Sequence, residues 1–224
     1  MALENIDGNA FVAFTDIAGF KKMLTDGNRA AKALDYFYNC GYDILNVNSL
    51  VKGLFVSDSG ILIVPCNSTD KMKLKDNLKA LLKVIKELNI KMLDKNYMLT
   101  TSIAFGYFKY ENRLEFPGIS KDMMLGHAYL NAYLDNENKT NKLEPGQCRI
   151  VCDNYKDVDI EEISELIENE YVLEMAKQEK RIYFHWCLEK ATDVKQLRTK
   201  YQNAKNSIYE KELEILKNFM GSIC

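Results

Sequence analysis

Apolar residues fall along this chain in runs of two periods, and their alternation lays out a fold. From Asn9, the run Ala-Phe-Val-Ala-Phe-Thr is apolar on both alternating sets of positions, which predicts a central strand covered on both faces and ending at Asp16. Ile17-Ala18-Gly19-Phe20 reads as a tight turn, after which Arg29 to Leu45 carries Leu34, Phe37, Tyr38 and Ile44 at helical spacing. Leu50 to Val64 admits two readings. One is a hairpin around a polar Asp58-Ser59-Gly60 centre, stopped at Pro65; the other is a single strand broken by a bulge at Gly60. Thr69-Asp70 offers an N-cap for a helix with the stripe Leu74, Leu78, Leu81, Leu82, Ile85 and Leu88, its lysines on a solvated face.

Met98 to Tyr110 reads as a strand, with a turn at Glu111-Asn112 and a short return strand through Leu114 and Phe116 that Pro117-Gly118 ends. Ser120 to Leu134 is helical by pattern, Asn136 to Gly146 a polar loop, and Cys148 to Cys152 a short strand. An acidic helix over 160–169, strands near 171–173 and 181–187, and a long helix over about 192–219 complete the chain. The order strand, helix, two strands, helix, strands, helix, strand is that of an α+β sandwich with helices on one sheet face, and a ferredoxin-like core with additions fits it best. With 3 Pro and 11 Gly there is little linker material, so residues 1–224 are read as one domain: a core over about 10–187 and a C-terminal helix that packs on it or on a second copy.

Composition narrows the function. Hydrophobic residues make up 47% and charged residues 28% of 224, which excludes disordered and collagenous chains. The 30 basic and 32 acidic residues give no long-range attraction for nucleic acid or anionic lipid, so a polyanion must be held locally and a compact ligand suits the chain better than a duplex. No stretch reaches the roughly 18 apolar residues of a membrane span, and a cytoplasmic protein is expected. Cys148 with Cys152 and His185 with Cys187 lack the spacing of a structural zinc site; reduced, buried thiols are the better reading.

Two carboxylates carry the candidate chemistry. Asp16 ends a hydrophobic strand, where open sheets place ligand-binding groups, and the small residues Ala18 and Gly19 beside it let backbone N–H groups approach a phosphate. A carboxylate beside an anion-binding turn calls for a divalent cation between them. Asp58 interrupts one of the most apolar stretches, and if the hairpin lies beside the first strand the two aspartates converge on the same ions, Mg²⁺ or Mn²⁺. Taken singly, Asp58-Ser59-Gly60 is also ordinary hairpin-turn chemistry and Asp16 an ordinary N-cap; together with the glycine turn they favour a nucleotide site.

These residues resemble a known family. Phe14-Thr15-Asp16-Ile17-Ala18-Gly19-Phe20 resembles the first metal-binding motif of class III nucleotide cyclases, and Phe55-Val56-Ser57-Asp58-Ser59 the strand with their second metal aspartate, at a similar separation of 42 residues. Within that family the motifs are most similar to the bacterial pyrimidine cyclases of the Pycsar anti-phage system. Ser102 to Gly106, Gly126 to Tyr133 and Cys148 to Val151 resemble its central strand, its Gly-x-Ala-x-x-x-Ala-Tyr helix and its Pro-Arg-Ile-Val strand, so the match spans roughly residues 10–153. The resemblance implies two ions held by Asp16, Asp58 and the backbone carbonyl of Ile17, and a nucleoside triphosphate whose phosphates lie on the amides of Ala18, Gly19 and Phe20. It implies a 3′,5′-cyclic nucleotide product, active sites formed between two head-to-tail subunits, and a separate effector protein that responds to the product.

The chain also departs from that pattern. Where mammalian-type cyclases have an Asn and an Arg for the transition state, this chain has Leu130 and Leu134. A cation must then come from Arg29, Arg113, Arg149, Arg181 or Arg198, or from a lysine; Arg113 and Arg181 are the candidates, each set against a solvated role. The family's base-reading lysine is Leu54 and its partner Met123, which points away from ATP and toward UTP or CTP, with Tyr42, Asp122 and Asn131 as candidate base contacts. The competing expectations are a catalytically silent nucleotide-binding module, which the missing Asn and Arg favour, and a purine cyclase.

Overall fold

The computed structural model describes residues 3–25, 27–116, 119–176 and 180–188, with backbone alone for 113–116 and 119–121. The helix expected over about 192–219 lies outside these residues, and the single domain expected over 1–224 extends beyond them.

The elements in chain order are β1 (Ile6–Ile17), α1 (Phe20–Met23), α2 (Gly27–Asn46), β2 (Lys52–Val56), β3 (Ser59–Pro65), α3 (Lys71–Asp94), β4 (Leu99–Phe116), β5 (Ile119–Leu125), α4 (His127–Asn136), β6 (Cys148–Val151), α5 (Ile160–Glu165), β7 (Leu173–Ala176) and β8 (Arg181–Phe184). The described strands form one mixed sheet in the order β2-β3-β1-β4-β6-β8-β7, with β5 paired to β4. Its β1-α2-β2-β3-α3-β4 half, antiparallel throughout, is the ferredoxin-like core anticipated above. β6 adds to β4 in parallel, and β8 and β7 continue the sheet antiparallel.

β1 is buried on both faces, as its doubly apolar pattern requires. Phe11, Ala13 and Ile17 pack under α2 and α3, whereas Ala10, Val12 and Phe14 pack under Ala128 and Ala132 of α4. Helices therefore cover both faces of the sheet, not one: the second apolar set of β1 is left for α4 to bury. α3 begins where Asp70 accepts from the N–H groups of Met72 and Lys73, and its stripe from Leu74 to Leu88 is buried.

Three local expectations are corrected. The Leu50–Val64 run is a hairpin, but its tip is Ser57-Asp58, because Ser59 and Gly60 already pair with Asp16 and Thr15 of β1. The second hairpin turns after Phe116, not at Glu111-Asn112, and residues 119–125 form strand β5 rather than the start of a helix. Non-local pairing with 109–116 overrides the helical spacing there. Gly126 makes the change of direction from β5 into α4: its φ is +128°, and a Cβ would stand 2.2 Å from the Tyr107 carbonyl oxygen. Gly126→Ala is therefore expected to cost more than about 2 kcal/mol in urea unfolding, and an unchanged midpoint would contradict this account of the turn.

Candidate active site

The site is assembled where β1 ends. Asp16 lies on the α4-side face of β1, paired to Ser59 of β3 and to Thr100 of β4. The Ser59 hydroxyl donates to its Oδ1 at 3.0 Å. The tip of the β2–β3 hairpin is stitched to the same point, since the N–H of Ile17 donates to the carbonyl of Asp58 at 3.0 Å. N–H and C=O of one strand residue face the same neighbour, so the Ile17 carbonyl also faces the hairpin that carries Asp58. Ser57, at φ +55°, lets the chain reverse in two residues, and its carbonyl accepts from the Tyr38 hydroxyl of α2 at 2.9 Å.

The electrostatics match the geometry. Burial, then the neighbouring Asp58, push the Asp16 carboxyl up to about 7; Glu137 adds to the rise, while the Ser59 hydroxyl and Lys21 pull against it. No lysine or arginine forms an ion pair with Asp16 or Asp58 among the described residues. Two crowded carboxylates and a carbonyl, all hard oxygen donors, fit a divalent cation such as Mg²⁺ or Mn²⁺. No group of three or more His, Cys, Asp or Glu able to hold a metal occurs among the described residues, so this pair would need ligand oxygens to complete a coordination shell.

The turn after Asp16 is partly spent. The Ala18 N–H donates to the Met98 carbonyl at 2.9 Å, which takes Ala18 out of the expected phosphate cradle. Gly19, in the left-handed region at φ 76°, is the N-cap of α1, and Phe20 opens that helix with its ring buried. The first N–H groups of a helix lack partners within it, so Gly19 and Phe20 remain as candidate phosphate donors.

The expected cations resolve differently. Arg181 donates from Nε to Asp135 Oδ1 at 2.6 Å and thus serves a buried ion pair. Arg149, with no exposed surface, donates from Nε to Asp135 Oδ2 at 2.7 Å and from Nη2 to the carbonyls of Asp135 and Asn141. Burial opposes ionisation of Asp135, but Arg149, the Ser102 hydroxyl at 2.6 Å and Arg181 hold it below the usual carboxylate range. No sequence feature identifies Asp135 as the centre of this cluster, because its partners come from three strands. Arg113 lies opposite Lys121 near the closed end of the β4–β5 hairpin, thirteen positions beyond the Thr100 that faces Asp16. The two α4 leucines are solvent-facing, Leu130 at 49% and Leu134 at 54% exposure, and Tyr133 beside them sets its ring edge-on to Phe14 at 5.3 Å.

The base candidates do not form one group within the chain. Leu54 packs on the α4 side of the sheet and Asn131 belongs to α4. Asp122 sits on β5 and accepts from the Tyr110 hydroxyl at 2.9 Å. Tyr42 lies on the opposite face, edge-on to Phe55 at 5.7 Å, and so is not brought to Leu54 or Asn131. Four of the five described cysteines follow the buried reading, Cys40, Cys66, Cys148 and Cys152, and desolvation pushes the Cys152 thiol up to about 12; Cys187 departs from it and is exposed.

The sheet order and the helices on its two faces match the fold of class III nucleotide cyclases. Among solved structures, the adenylyl cyclase CyaB from P. aeruginosa matches over 81% of this chain and 95% of its own, with TM-score 0.54 and 17% identity. The guanylate cyclase domain of RhGC from Catenaria anguillulae, solved in complex with GTP, matches over 81% and 97%, with TM-score 0.53 and 12% identity. A non-canonical dimeric guanylyl cyclase domain of the RhoGC fusion protein from the aquatic fungus Blastocladiella emersonii matches over 81% of this chain and 97% of its own, with TM-score 0.52 and 12% identity. No family profile matches the sequence, and no curated protein matches it. No helix among the described residues is long and apolar enough to cross a membrane.

Proposed function

We propose that this chain is a nucleotide cyclase that converts a pyrimidine nucleoside triphosphate, UTP in preference to CTP, into the 3′,5′-cyclic monophosphate and pyrophosphate. The observation that carries the reading is the Asp16–Asp58 pair at the end of β1 in a cyclase fold. Two divalent ions, when bound there, would supply charge neutralisation at the triphosphate and acidify the ribose 3′-hydroxyl. The chain's own part is positional. Asp16, held by Ser59, and Asp58, held through the Ile17 and Tyr38 hydrogen bonds, fix two carboxylates for the ions, and the amides of Gly19 and Phe20 receive phosphate oxygens. In the reaction the bond from O3′ to the α-phosphorus forms as the α–β bridging bond breaks. Its electron pair leaves with pyrophosphate and the hydroxyl proton is lost to solvent.

Leu54 and Met123, apolar at the base-reading positions, support a pyrimidine. The motif likeness to Pycsar cyclases supports a cytoplasmic enzyme whose cyclic UMP or cyclic CMP signals to a separate effector in anti-phage defence. The exposed Leu130, Tyr133 and Leu134 of α4 support pairing of two chains, with Arg113 or Asp122 acting across the interface. A silent nucleotide-binding module is the second reading, favoured by the leucines that replace the transition-state Asn and Arg.

Purified protein incubated with each of the four ribonucleoside triphosphates and Mn²⁺, followed by chromatography, is expected to yield a cyclic product and pyrophosphate from UTP first. Conversion of ATP or GTP alone would make it a purine cyclase. No conversion by a protein shown to be dimeric would leave the silent module.

A further inference from the structure

The outward face of α4 is uncovered among the described residues. Ala128 and Ala132 face the sheet, while Leu130, Tyr133 and Leu134, at positions i, i+3 and i+4, are exposed together. At the end of α4, Asn136 donates from Nδ2 to the carbonyl of Phe14, two residues before Asp16, and Glu137 follows it. That end of the helix therefore collects the carboxylates of Glu137, Asp16 and Asp58, none of which forms an ion pair among the described residues.

The last described residue, Leu188, lies at the same end of the sheet. β8 runs antiparallel to β6, which is parallel to β4, so β8 ends level with the start of β4 and with the end of β1. Trp186 then donates from Nε1 to the Gly146 carbonyl at 2.7 Å, and the Gly146 N–H donates to the Leu99 carbonyl at 2.9 Å. Two strand spacings, about 10 Å, separate β8 from β4, and the three residues 189–191 bridge about that distance. β4 lies directly under α4, through Ala104 and Phe108. A second exposed apolar patch, Tyr42, Val47 and Leu50, is at the opposite end of the sheet, where α2 finishes.

The sequence beyond Leu188 matches the α4 face in pattern and in charge. Val194, Leu197, Tyr201, Ala204 and Ile208 recur at alternating spacings of three and four, the narrow stripe of a helix that lies along another helix. Arg198, Lys200 and Lys205 flank the stripe. Two copies of the segment side by side would set these like charges against each other, whereas the carboxylates at the end of α4 complement them.

We infer that the helix expected over about 192–219 docks along α4 of its own chain, its stripe from Leu197 to Ile208 against Leu130, Tyr133 and Leu134, and covers the face through which a second copy pairs. This rests on the proposed pairing of two chains through α4. The segment is then an internal competitor. A capped chain cannot pair, and the apparent affinity of one copy for another falls with the fraction of chains that are capped.

The test uses the full chain with Leu134→benzoylphenylalanine, a photo-reactive side chain of similar apolar character, irradiated at low concentration in an equal mixture of isotopically labelled and unlabelled protein. Peptide mass spectrometry is expected to find position 134 joined to residues within 192–219 of the same isotope. Cross-links to that segment of the other isotope, cross-links to any other part of the chain alone, or none at all would overturn the inference. In sedimentation, the double variant Leu197→Asp with Ile208→Asp should pair at about tenfold lower concentration than wild type, because its chains are uncapped; equal or weaker pairing would likewise overturn it. Neither readout involves a nucleotide, so the inference can fail while the chain proves to be a cyclase, and hold while the chain proves to be a silent module.

Discussion

Asp16→Asn is expected to raise the melting temperature of the metal-free protein at pH 8 while lowering Mn²⁺-dependent turnover a thousandfold or more, the scale of removing a metal-binding carboxylate. The two effects have opposite signs for one reason. An aspartate titrates near 3.9 in an unfolded chain, whereas burial and the adjacent Asp58 push Asp16 up to about 7 in the fold. The folded state therefore binds the proton more tightly. Stability falls as pH rises from about 4 to about 7 and then levels off, with a total penalty on the order of 3 kcal/mol. Asparagine is isosteric and neutral, keeps an acceptor for the Ser59 hydroxyl, and removes the penalty. For a chain of this size that is worth roughly 6–12 °C. Divalent ions favour the ionised pair, so Mn²⁺ should raise the melting temperature of the wild type at pH 8 and leave the variant nearly unmoved. A variant that melts at or below wild type at pH 8, with the same response to Mn²⁺, would show that Asp16 is an ordinary strand-end residue.

Arg149→Met should be the most destabilising single change in the described sheet, at about 3–5 kcal/mol by urea unfolding, because it leaves the Asp135 carboxylate buried without its main partner. Arg149 has no exposed surface and ties the end of α4 and the Asn141 carbonyl to β6. The double variant Arg149→Met with Asp135→Leu removes both charges, and Arg181, which is partly exposed, can turn to solvent. It should recover at least half of the loss. A single-variant cost below about 1 kcal/mol would mean that Arg181 alone satisfies Asp135.

The comparison of sequence with structure divides along the range of the interactions involved. β1, α2 and α3 were legible because their apolar periodicity is local and strong, and Asp16 and Asp58 because each breaks such a pattern. The identity of β5 was not. Met123 and Met124 sit at spacings a helix also uses, and their strand conformation is decided by pairing to Glu111 and Tyr110. The Asp135 cluster was hidden for a related reason. Arg149 and Arg181 are 32 residues apart in the sequence, and nothing local to either marks Asp135 as the partner they share. Ala18 shows the finest limit: a small side chain signals close approach, but only the strand register reveals that Met98 is what approaches.

The hydrogen bond from the Tyr38 hydroxyl to the Ser57 carbonyl gives α2 a mechanical role. Asp16 is anchored by strands on both sides, whereas Asp58 sits on a two-residue tip held from one flank by β1 and from the other by α2. The spacing of the two carboxylates is thus a gauge of where α2 rests on the sheet. A shift of α2 on the sheet would therefore draw on the tip that carries Asp58 and leave Asp16, fixed between β3 and β4, in place.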